Sequence, residues 1–478
     1  MRRKSSYDLN SLIVFGNIAV CLISIYLYWK SGGNQYVNIS TLILLCIFGI
    51  ENFLMLLYEK KRRDPFVLLL LIVTLCFYMG RVATLLYDPW SELLAISSSS
   101  SLDLNYSLIF IMFFNFSIFL GLTMGGGNIL YKEEDIPDNY PANSRNIILL
   151  LVIVMFLSYC LPAAGNFIGR FSGYICLFIN LNLILLFTSV YLVINFNKIS
   201  KLKRIVFLSL FTIFVLKSTL SGSRAALLAV VSFLLVAVLS VKGKIILNRR
   251  NILISLIIIP GFLIFFTVAT QMRSAGISRY FSPIKQLALL KKAGSAKLKD
   301  VSKLCRPMFN RVAFLDYATL LIRNPQCYRE VIKPAYYFKS IIDNVLTPGF
   351  TVFNTPRVSS TLKYISRGEP VPTQEQIMAS PQSDMPTIYG EYYVFFYGYF
   401  ALVIILISSF IFKKIYLSIC TKDAFLFYLY RALVLYVFYL WINSFGVDWL
   451  LFDLISIIVT ISLFKNFYKM RKRKVDVY

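Results

Sequence analysis

The chain has 478 residues, of which 58% are hydrophobic and only 15% charged, and its formal net charge is +26 at pH 7. This balance excludes an ordinary soluble domain. Apolar runs of about 20 residues recur along the chain, each long enough to cross a hydrocarbon core of roughly 30 Å, and they do not alternate as barrel strands do. We therefore expect an all-α polytopic membrane protein. The sequence contains no histidine, which excludes an imidazole base, a Ser-His-Asp triad and a His-ligated metal.

Twelve apolar segments are candidate membrane spans. Nine of them fall in residues 1–270, a long polar and basic segment occupies 271–386, and three more spans with a basic tail make up 387–478. The predicted spans are 9–29, 38–58, 65–87, 104–124, 146–162, 171–196, 203–221, 223–241, 250–270, 387–412, 423–444 and 447–465.

The basic residues of the short connections predict the orientation. Most of these lysines and arginines lie on the side of the N-terminus, whereas the opposite side holds only Lys30, Arg170, Lys217 and Arg224. Since positively charged loops remain in the cytoplasm, both termini are predicted to be cytoplasmic and 271–386 to form a large outer loop. The positive charge is thus assigned to topology and anionic lipid rather than to nucleic acid.

Two stretches of the outer loop are predicted to be amphipathic helices. Residues 309–323 place Phe314, Tyr317, Leu320 and Leu321 near one helical face, so this helix lies on the membrane or caps the bundle. The second stretch is 334–345, closed by a Thr-Pro-Gly stop. Two cysteines of this loop, Cys305 and Cys327, can form a disulfide if the loop is extracytoplasmic.

Charged residues inside spans are costly and are functional candidates for that reason. Glu51 lies near the middle of the second span and Arg81 in the outer half of the third. Either the two form an interhelical ion pair, or Arg81 faces an outer cavity that takes an anionic substrate.

The stronger candidate for a substrate site is a predicted turn over 221–223, followed by a helix that starts at Arg224. A Ser/Gly turn before a helix start presents free backbone N–H groups and the positive end of the helix dipole. Arg224 adds a full charge there, which suits a phosphate or pyrophosphate. Arg273 and Arg279, at the start of the long loop, either contact the same substrate or extend to the lipid headgroups.

Acidic residues mark the other end of the loop. Asp384 lies just before the chain re-enters the membrane, and Glu391 lies about one turn inside the following apolar run, beside Tyr389. Glu391 either accepts a proton from a sugar hydroxyl or pairs with one of the arginines. Asp384 and Tyr389 are candidates for contacts to the acceptor or to the loop.

These features together resemble a known family. The LSGSRAALL turn, the large outer loop with DNVLTPGFTVF and its exit GEYYVFFYGYFALVI are similar to the O-antigen polymerase (Wzy-type) family, the oligosaccharide repeat unit polymerases of lipopolysaccharide biosynthesis. The resemblance covers the hydropathy of the whole chain, with local matches near 216–228 and 342–404.

The resemblance implies a membrane-embedded glycosyltransferase (GT-C-like) architecture in the bacterial inner membrane. It implies a metal-independent enzyme without a cofactor that transfers a growing glycan from undecaprenyl pyrophosphate to the next lipid-linked repeat at the periplasmic face. Arg224 would bind the pyrophosphate leaving group and Glu391 would act on the acceptor hydroxyl, while Arg81, Arg273 and Arg279 are added as pyrophosphate ligands by charge and position. A chain-length regulator protein is an expected partner, and nucleic acid is not.

A non-enzymatic alternative remains at this point. A lipid-linked oligosaccharide flippase, or another transporter, can also have twelve spans and a basic cavity. O-antigen ligases share the plan but carry histidine in the long loop, and the absence of histidine here argues against a ligase.

Overall fold

The computed structural model describes residues 6–89, 91, 94–95, 98–126, 181–195, 199–220, 224–242, 246–248, 313–347, 352–371, 373, 387–421, 424–443, 450–459 and 462. By length and composition, six helices in these ranges can cross a membrane. They are α1 (Leu9–Ser31), α2 (Ile39–Arg62), α3 (Pro65–Tyr87), α4 (Ser101–Met124), α13 (Phe400–Ser418) and α14 (Ala424–Ile442). The protein is therefore an α-helical membrane protein, as its composition predicts.

Nine shorter or less apolar helices complete the described parts of the chain. They are α5 (Leu181–Asn195), α6 (Lys201–Leu220), α7 (Arg224–Lys242), α8 (Phe314–Arg323), α9 (Pro325–Val331), α10 (Pro334–Ile341), α11 (Val358–Ser366), α12 (Ile388–Phe395) and α15 (Leu450–Val459). Short strands β1 (Ser6–Asp8) and β2 (Ile246–Asn248) form an antiparallel pair.

The predicted spans 203–221 and 223–241 coincide with α6 and α7. Segments 171–196 and 447–465 are described in part, as α5 and α15. The predicted spans 146–162 and 250–270 lie outside the described residues, so the total of twelve stays a prediction.

Local capping signals fix where several helices begin. Asn38 and Thr41 form a reciprocal capping box at the start of α2, and Ser100 and Asp103 form another at the start of α4. At α3, the Asp64 side chain accepts a hydrogen bond from the N–H of Phe66, and Pro65 occupies the first helical position. Each cap satisfies N–H groups that would otherwise lack a partner at a helix start.

Polar contacts define the two ends of the bundle. At one end, Asn38 donates to Ser101 (3.1 Å) and Thr41 donates to Asn105 (2.6 Å), which joins the starts of α2 and α4. At the other end, a buried ion pair joins Lys413 of α13 to Asp64. We call the Asn38–Ser101 end the outer end, following the predicted orientation. That prediction also puts 60–63 and 413–422 on one side, in agreement with the Lys413–Asp64 pair.

Helices α4 and α13 approach so closely that their contact requires glycine. A Cβ atom at Gly121 would lie 2.8 Å from the Cβ of Ser409 and closer still to the carbonyl oxygen of Leu406. One turn further on, a Cβ at Gly125 would lie 2.6 Å from the Cβ of Lys413. Small residues let membrane helices pack backbone to backbone, and here they hold α13 against the bundle.

The prediction of one continuous span over 387–412 is wrong. The chain forms the short helix α12, turns at residues 396–399 and then begins α13. Tyr397 and Gly398 both have positive φ in that turn, 52° and 73°, a left-handed conformation that ends a helix. Hydropathy does not reveal the break because the turn is itself aromatic and apolar.

Helix α12 begins beside the middle of α4. Its Tyr389 packs on Phe114 with ring centroids 5.5 Å apart and donates a hydrogen bond to Asn115 at 2.5 Å. Its Tyr393 contacts Phe110, nearer the outer end, at 4.5 Å. The N-terminus of α12 therefore lies inside the bundle.

The amphipathic helices predicted in the outer loop are confirmed as α8 and α10, the latter extended by a π-helical turn at Ile342–Leu346. Phe314, at the start of α8, stacks on Phe77 in the middle of α3 with centroids 4.6 Å apart. Arg323, at its end, lies 3.7 Å from Asp103 at the start of α4. Of the two locations open to this helix, the structure has the one packed on the bundle.

We predict that Gly121→Ala destabilises the protein by about 1–3 kcal/mol, the usual cost of overpacking a close contact. The backbone carbonyl of Leu406 cannot rotate away, so α4 and α13 must separate. Thermal unfolding of the purified protein in detergent measures this loss.

Gly49→Ala in α2 is the matched control, because the nearest atoms to its Cβ would be the Sγ of Cys21 at 3.3 Å and the mobile Cε of Met79 at 3.6 Å. An unfolding midpoint of Gly121→Ala equal to that of Gly49→Ala would show that the α4–α13 contact is looser than described.

Candidate functional site

Glu391, the predicted acidic site residue, lies in the first turn of α12. Its side chain is only 2% exposed, and its carboxylate accepts a hydrogen bond from the Tyr337 hydroxyl at 2.8 Å. Tyr337 belongs to α10 of the outer loop, and its ring also packs edge-on against Phe395 at 4.7 Å. The carboxylate is therefore buried between the bundle and the loop.

The start of α12 is held by local contacts. Thr387, with φ 53°, precedes the helix, and its hydroxyl accepts a hydrogen bond from the N–H of Gly390 at 3.3 Å. A Cβ at Gly390 would lie 2.5 Å from the Cδ1 of Leu321, so glycine lets α8 lie directly against α12. This contact fixes the backbone that carries Glu391.

The end of α12 is capped by an arginine from the outer loop. Arg329 of α9 donates to the carbonyl of Val394 and, at 3.2 Å, to that of Tyr393. Its guanidinium also lies 4.5 Å from the ring centroid of Tyr397. A cation at a helix C-terminus satisfies unpaired carbonyls and complements the helix dipole. The loop thus holds both ends of α12.

A buried carboxylate orders the segment that follows α10. Asp343 accepts hydrogen bonds from the backbone N–H groups of Val352 (2.8 Å), Phe353 (2.9 Å) and Thr355 (2.7 Å). Asn344 donates to the carbonyl of Thr355 at 3.1 Å. The DNVLTPGFTVF stretch, singled out by its resemblance, therefore begins with two residues that fold the chain back on itself.

Arg81 is not open to a phosphate in this structure. Its Nε donates to one carboxylate oxygen of Asp316 at 2.9 Å and its Nη2 to the other at 2.6 Å, and both side chains are at most 1% exposed. Ser91 donates to the same carboxylate at 2.6 Å. The alternative of a Glu51–Arg81 pair also fails, because the partner comes from the outer loop. Arg81 anchors α8 to α3.

Tyr389, predicted to contact the acceptor or the loop, instead packs against α4. The side chain is fully buried and its hydroxyl is bonded to Asn115 of α4. This residue joins α12 to the interior of the bundle.

The predicted helix start at Arg224 is confirmed, since α7 begins there. Further along α7, Ser232 donates to the hydroxyl of Tyr439 in α14 at 2.9 Å. Near the end of α14, Trp441 donates to the hydroxyl of Tyr392 at 2.9 Å, and Tyr392 adjoins Glu391. The middle of α7 and the helix of Glu391 are thus both connected to the last turns of α14.

Several predicted site residues lie wholly or partly outside the described portion of the chain. The side chains of Arg224 and Lys217 fall outside the described set, as do Arg273, Arg279 and Asp384 altogether. Cys327 is a free, exposed thiol, and Cys305 is likewise outside the described ranges.

Sequence reasoning missed Asp316, Arg329 and Tyr337 as site residues. Asp316 has a recognisable signal in retrospect, because it is the acid of an amphipathic helix and Arg81 is a basic residue in a span that needs a buried partner. Arg329 and Tyr337 carry no such signal, since tyrosines and arginines are abundant in this chain.

Within the ranges that the structure covers, no group of three or more His, Cys, Asp or Glu side chains could hold a metal ion. Comparison of the chain with known protein families, characterised proteins and solved structures finds no match.

We predict that Asp316→Asn lowers stability by about 3–5 kcal/mol, because it leaves the Arg81 guanidinium buried without its counter-charge. Thermal unfolding measures the loss, and Arg81→Gln combined with Asp316→Asn should recover part of it, since no lone charge then remains inside.

Arg323→Gln provides the control at the other end of α8, because it removes the ion pair with Asp103 and leaves the capping box of α4 in place. The Asp103–Arg323 pair is 3.7 Å long and about a quarter exposed, so its loss should cost at most about 1 kcal/mol. Equal effects at the two ends of α8 would contradict the buried anchor.

Proposed function

We propose that this protein is a glycosyltransferase that polymerises lipid-linked oligosaccharide repeat units for a bacterial surface polysaccharide. The observation that carries the proposal is Glu391, a carboxylate buried in the first turn of α12 and hydrogen-bonded to Tyr337 of the outer loop. A general base needs a fixed position within reach of the hydroxyl that it deprotonates. Helices α8, α9 and α10 supply that fixed position from the outer loop.

The proposed reaction has a negatively charged leaving group, which needs a positive site close to the base. The N-terminus of α7, which follows the predicted Ser-Gly-Ser turn, offers backbone N–H groups, a dipole end and Arg224. Both α7 and α12 contact the last turns of α14 through Tyr439 and Trp441. We retain Arg273 and Arg279 as further pyrophosphate ligands and remove Arg81, which is engaged by Asp316.

In the proposed step, the acceptor hydroxyl of the next lipid-linked repeat attacks the anomeric carbon of the growing glycan. The bond from that carbon to the pyrophosphate oxygen breaks as the new glycosidic bond forms. The hydroxyl proton passes to Glu391, and undecaprenyl pyrophosphate leaves as an anion stabilised by the positive site at Arg224. No metal or cofactor enters this scheme.

A lipid-linked oligosaccharide flippase is the second candidate, and one observation favours it. Helix α12 is a short helix that begins inside the bundle, a feature found at the substrate sites of transporters. The fixed carboxylate and the docked outer loop favour the transferase. A transporter needs its helices to move relative to one another, whereas the loop helix α8 is bonded to α3 and packed against α12.

We predict that Glu391→Gln abolishes polymerisation while leaving the protein folded, since glutamine keeps the hydrogen bond from Tyr337 but cannot take a proton. Arg224→Ala should reduce polymerisation by at least 100-fold, on the order of the effect of losing one leaving-group contact. The assay is complementation of a deletion strain, with surface glycans separated by length.

Glu330→Gln, an exposed change on α9, is the control and should restore full polymers. Loss of polymerase activity leaves single repeats on the surface, whereas loss of transport leaves none. Full-length glycans from Glu391→Gln would remove this residue from the mechanism, and absence of all surface glycan in the deletion strain would favour the flippase.

A further inference from the structure

The outer loop presents large apolar side chains on α10 and on the chain that follows it. Four of them have between 45% and 66% of their surface exposed, and they are Phe338, Leu346, Val352 and Phe353. Within α10 itself only Ser340 is buried, so most of this helix is at least partly exposed. Exposed apolar patches mark surfaces that contact another protein or a membrane.

A turn held by Asp343 brings these side chains together. The Asp343 carboxylate, four residues after Lys339, accepts the N–H groups of Val352 and Phe353. The Nζ of Lys339 lies 5.7 Å from the ring centroid of Phe353, and Phe338 is the preceding residue of α10. The exposed apolar residues therefore form one patch, which we call the α10 face.

The exposed charges on this segment are both positive. Residues 333–353 contain three charged side chains, those of Lys333, Lys339 and Asp343. Asp343 is buried and bonded to backbone N–H groups, whereas both lysines are exposed. A lysine can lay its methylene groups along apolar surface and extend its ammonium group to a phosphate. The α10 face thus combines apolar side chains with positive charge.

Tyr337 ties α10 to the turn between α12 and α13. Its ring packs against Phe395 at 4.7 Å, and the turn follows at 396–399. Tyr397 and Tyr399 of that turn are 75% and 53% exposed. The α10 face and these exposed phenols therefore lie at a similar level of the bundle.

That level is close to the outer end of the membrane-spanning helix α4. Tyr106 of α4 is 40% exposed, and its hydroxyl lies 3.2 Å from that of Tyr393 in α12. It is five residues, or about 7.5 Å, inside the start of α4 at Ser101. Exposed tyrosines near the end of a spanning helix are typical of the headgroup layer. An exposed apolar patch at this level meets lipid rather than water.

We propose that the α10 face is a lipid-contact surface of the outer leaflet. Its apolar side chains lie among the upper acyl chains, and Lys333 and Lys339 bind the phosphates of anionic phospholipids. Amphipathic segments with apolar and cationic residues lie in the interface in this way. The contact reaches the proposed catalytic residue through one bond, since Tyr337 of the same helix holds Glu391. The proposal does not rest on the transferase function.

Fluorescence quenching by brominated lipids tests this contact with the full-length protein in vesicles. Phe338→Trp and Phe353→Trp each place a reporter on the α10 face, and the signal of the four native tryptophans is subtracted with the wild type. Glu369→Trp, at an exposed acidic position after α11, is the control. All vesicles contain phosphatidylcholine with a minor share of phosphatidylglycerol, and an equal amount of one lipid or the other carries bromine near the headgroup.

The proposal predicts that both reporters are quenched, and more strongly by brominated phosphatidylglycerol than by brominated phosphatidylcholine. The local excess of phosphatidylglycerol should be about fivefold for each lysine that binds it. Adding Lys333→Gln and Lys339→Gln to Phe338→Trp should remove this excess, and Glu369→Trp should show no quenching beyond the wild type.

Two results would overturn the proposal. Equal quenching by the two brominated lipids would show that the lysines do not bind anionic phospholipid. No quenching at either reporter would show that the α10 face does not contact lipid, and would favour an acidic protein partner instead. None of these readings depends on polymerase activity.

Discussion

The buried ion pair between Arg81 and Asp316 is the interaction on which the rest of the described structure depends. A paired guanidinium and carboxylate inside a protein contribute little net stability, but either one alone is strongly unfavourable. The pair therefore favours the arrangement in which α8 is docked on the bundle, because docked α8 supplies the carboxylate. The ion pair thus sets the position of α8, a helix of the outer loop, on the bundle.

That position is passed on to the candidate site by direct packing. Leu321 of α8 lies against Gly390, and Arg329 and Tyr337 of the following helices bind the carbonyls and the carboxylate of α12. Helix α12 has only eight residues and its own hydrogen bonds cannot hold it in place. The loop thus acts as the support that orients Glu391, rather than as a cover laid over a finished site.

The sequence was sufficient for features that depend on local pattern. Apolar runs predicted α1–α4, α6, α7 and α14, and helical periodicity predicted α8 and α10, because hydropathy and period are properties of neighbouring residues. The turn at 396–399 was not predictable in this way, since Phe396, Tyr397 and Tyr399 look like span residues. The partner of Arg81 was not predictable either: a charge in a span indicates that a partner exists, but not which distant acid it is.

In the candidate site too, the features set by local pattern were predicted and those set by distant residues were not. Glu391 was found from its position one turn inside an apolar run, and it is buried as that position suggested. Tyr389, two residues away, was predicted to contact the acceptor or the loop, but it faces the bundle. The orientation of a short helix depends on what packs around it. Its partners Asn115 and Tyr78 lie hundreds of residues earlier in the chain.

The most direct test of the account is a reaction with the purified protein in liposomes. The protein would be supplied with undecaprenyl pyrophosphate-linked repeat units, in the presence of a metal chelator and without nucleotide. The account predicts glycans of two or more repeats on the lipid carrier, together with free undecaprenyl pyrophosphate. Repeat units that stay single, or that only cross the bilayer, would contradict it.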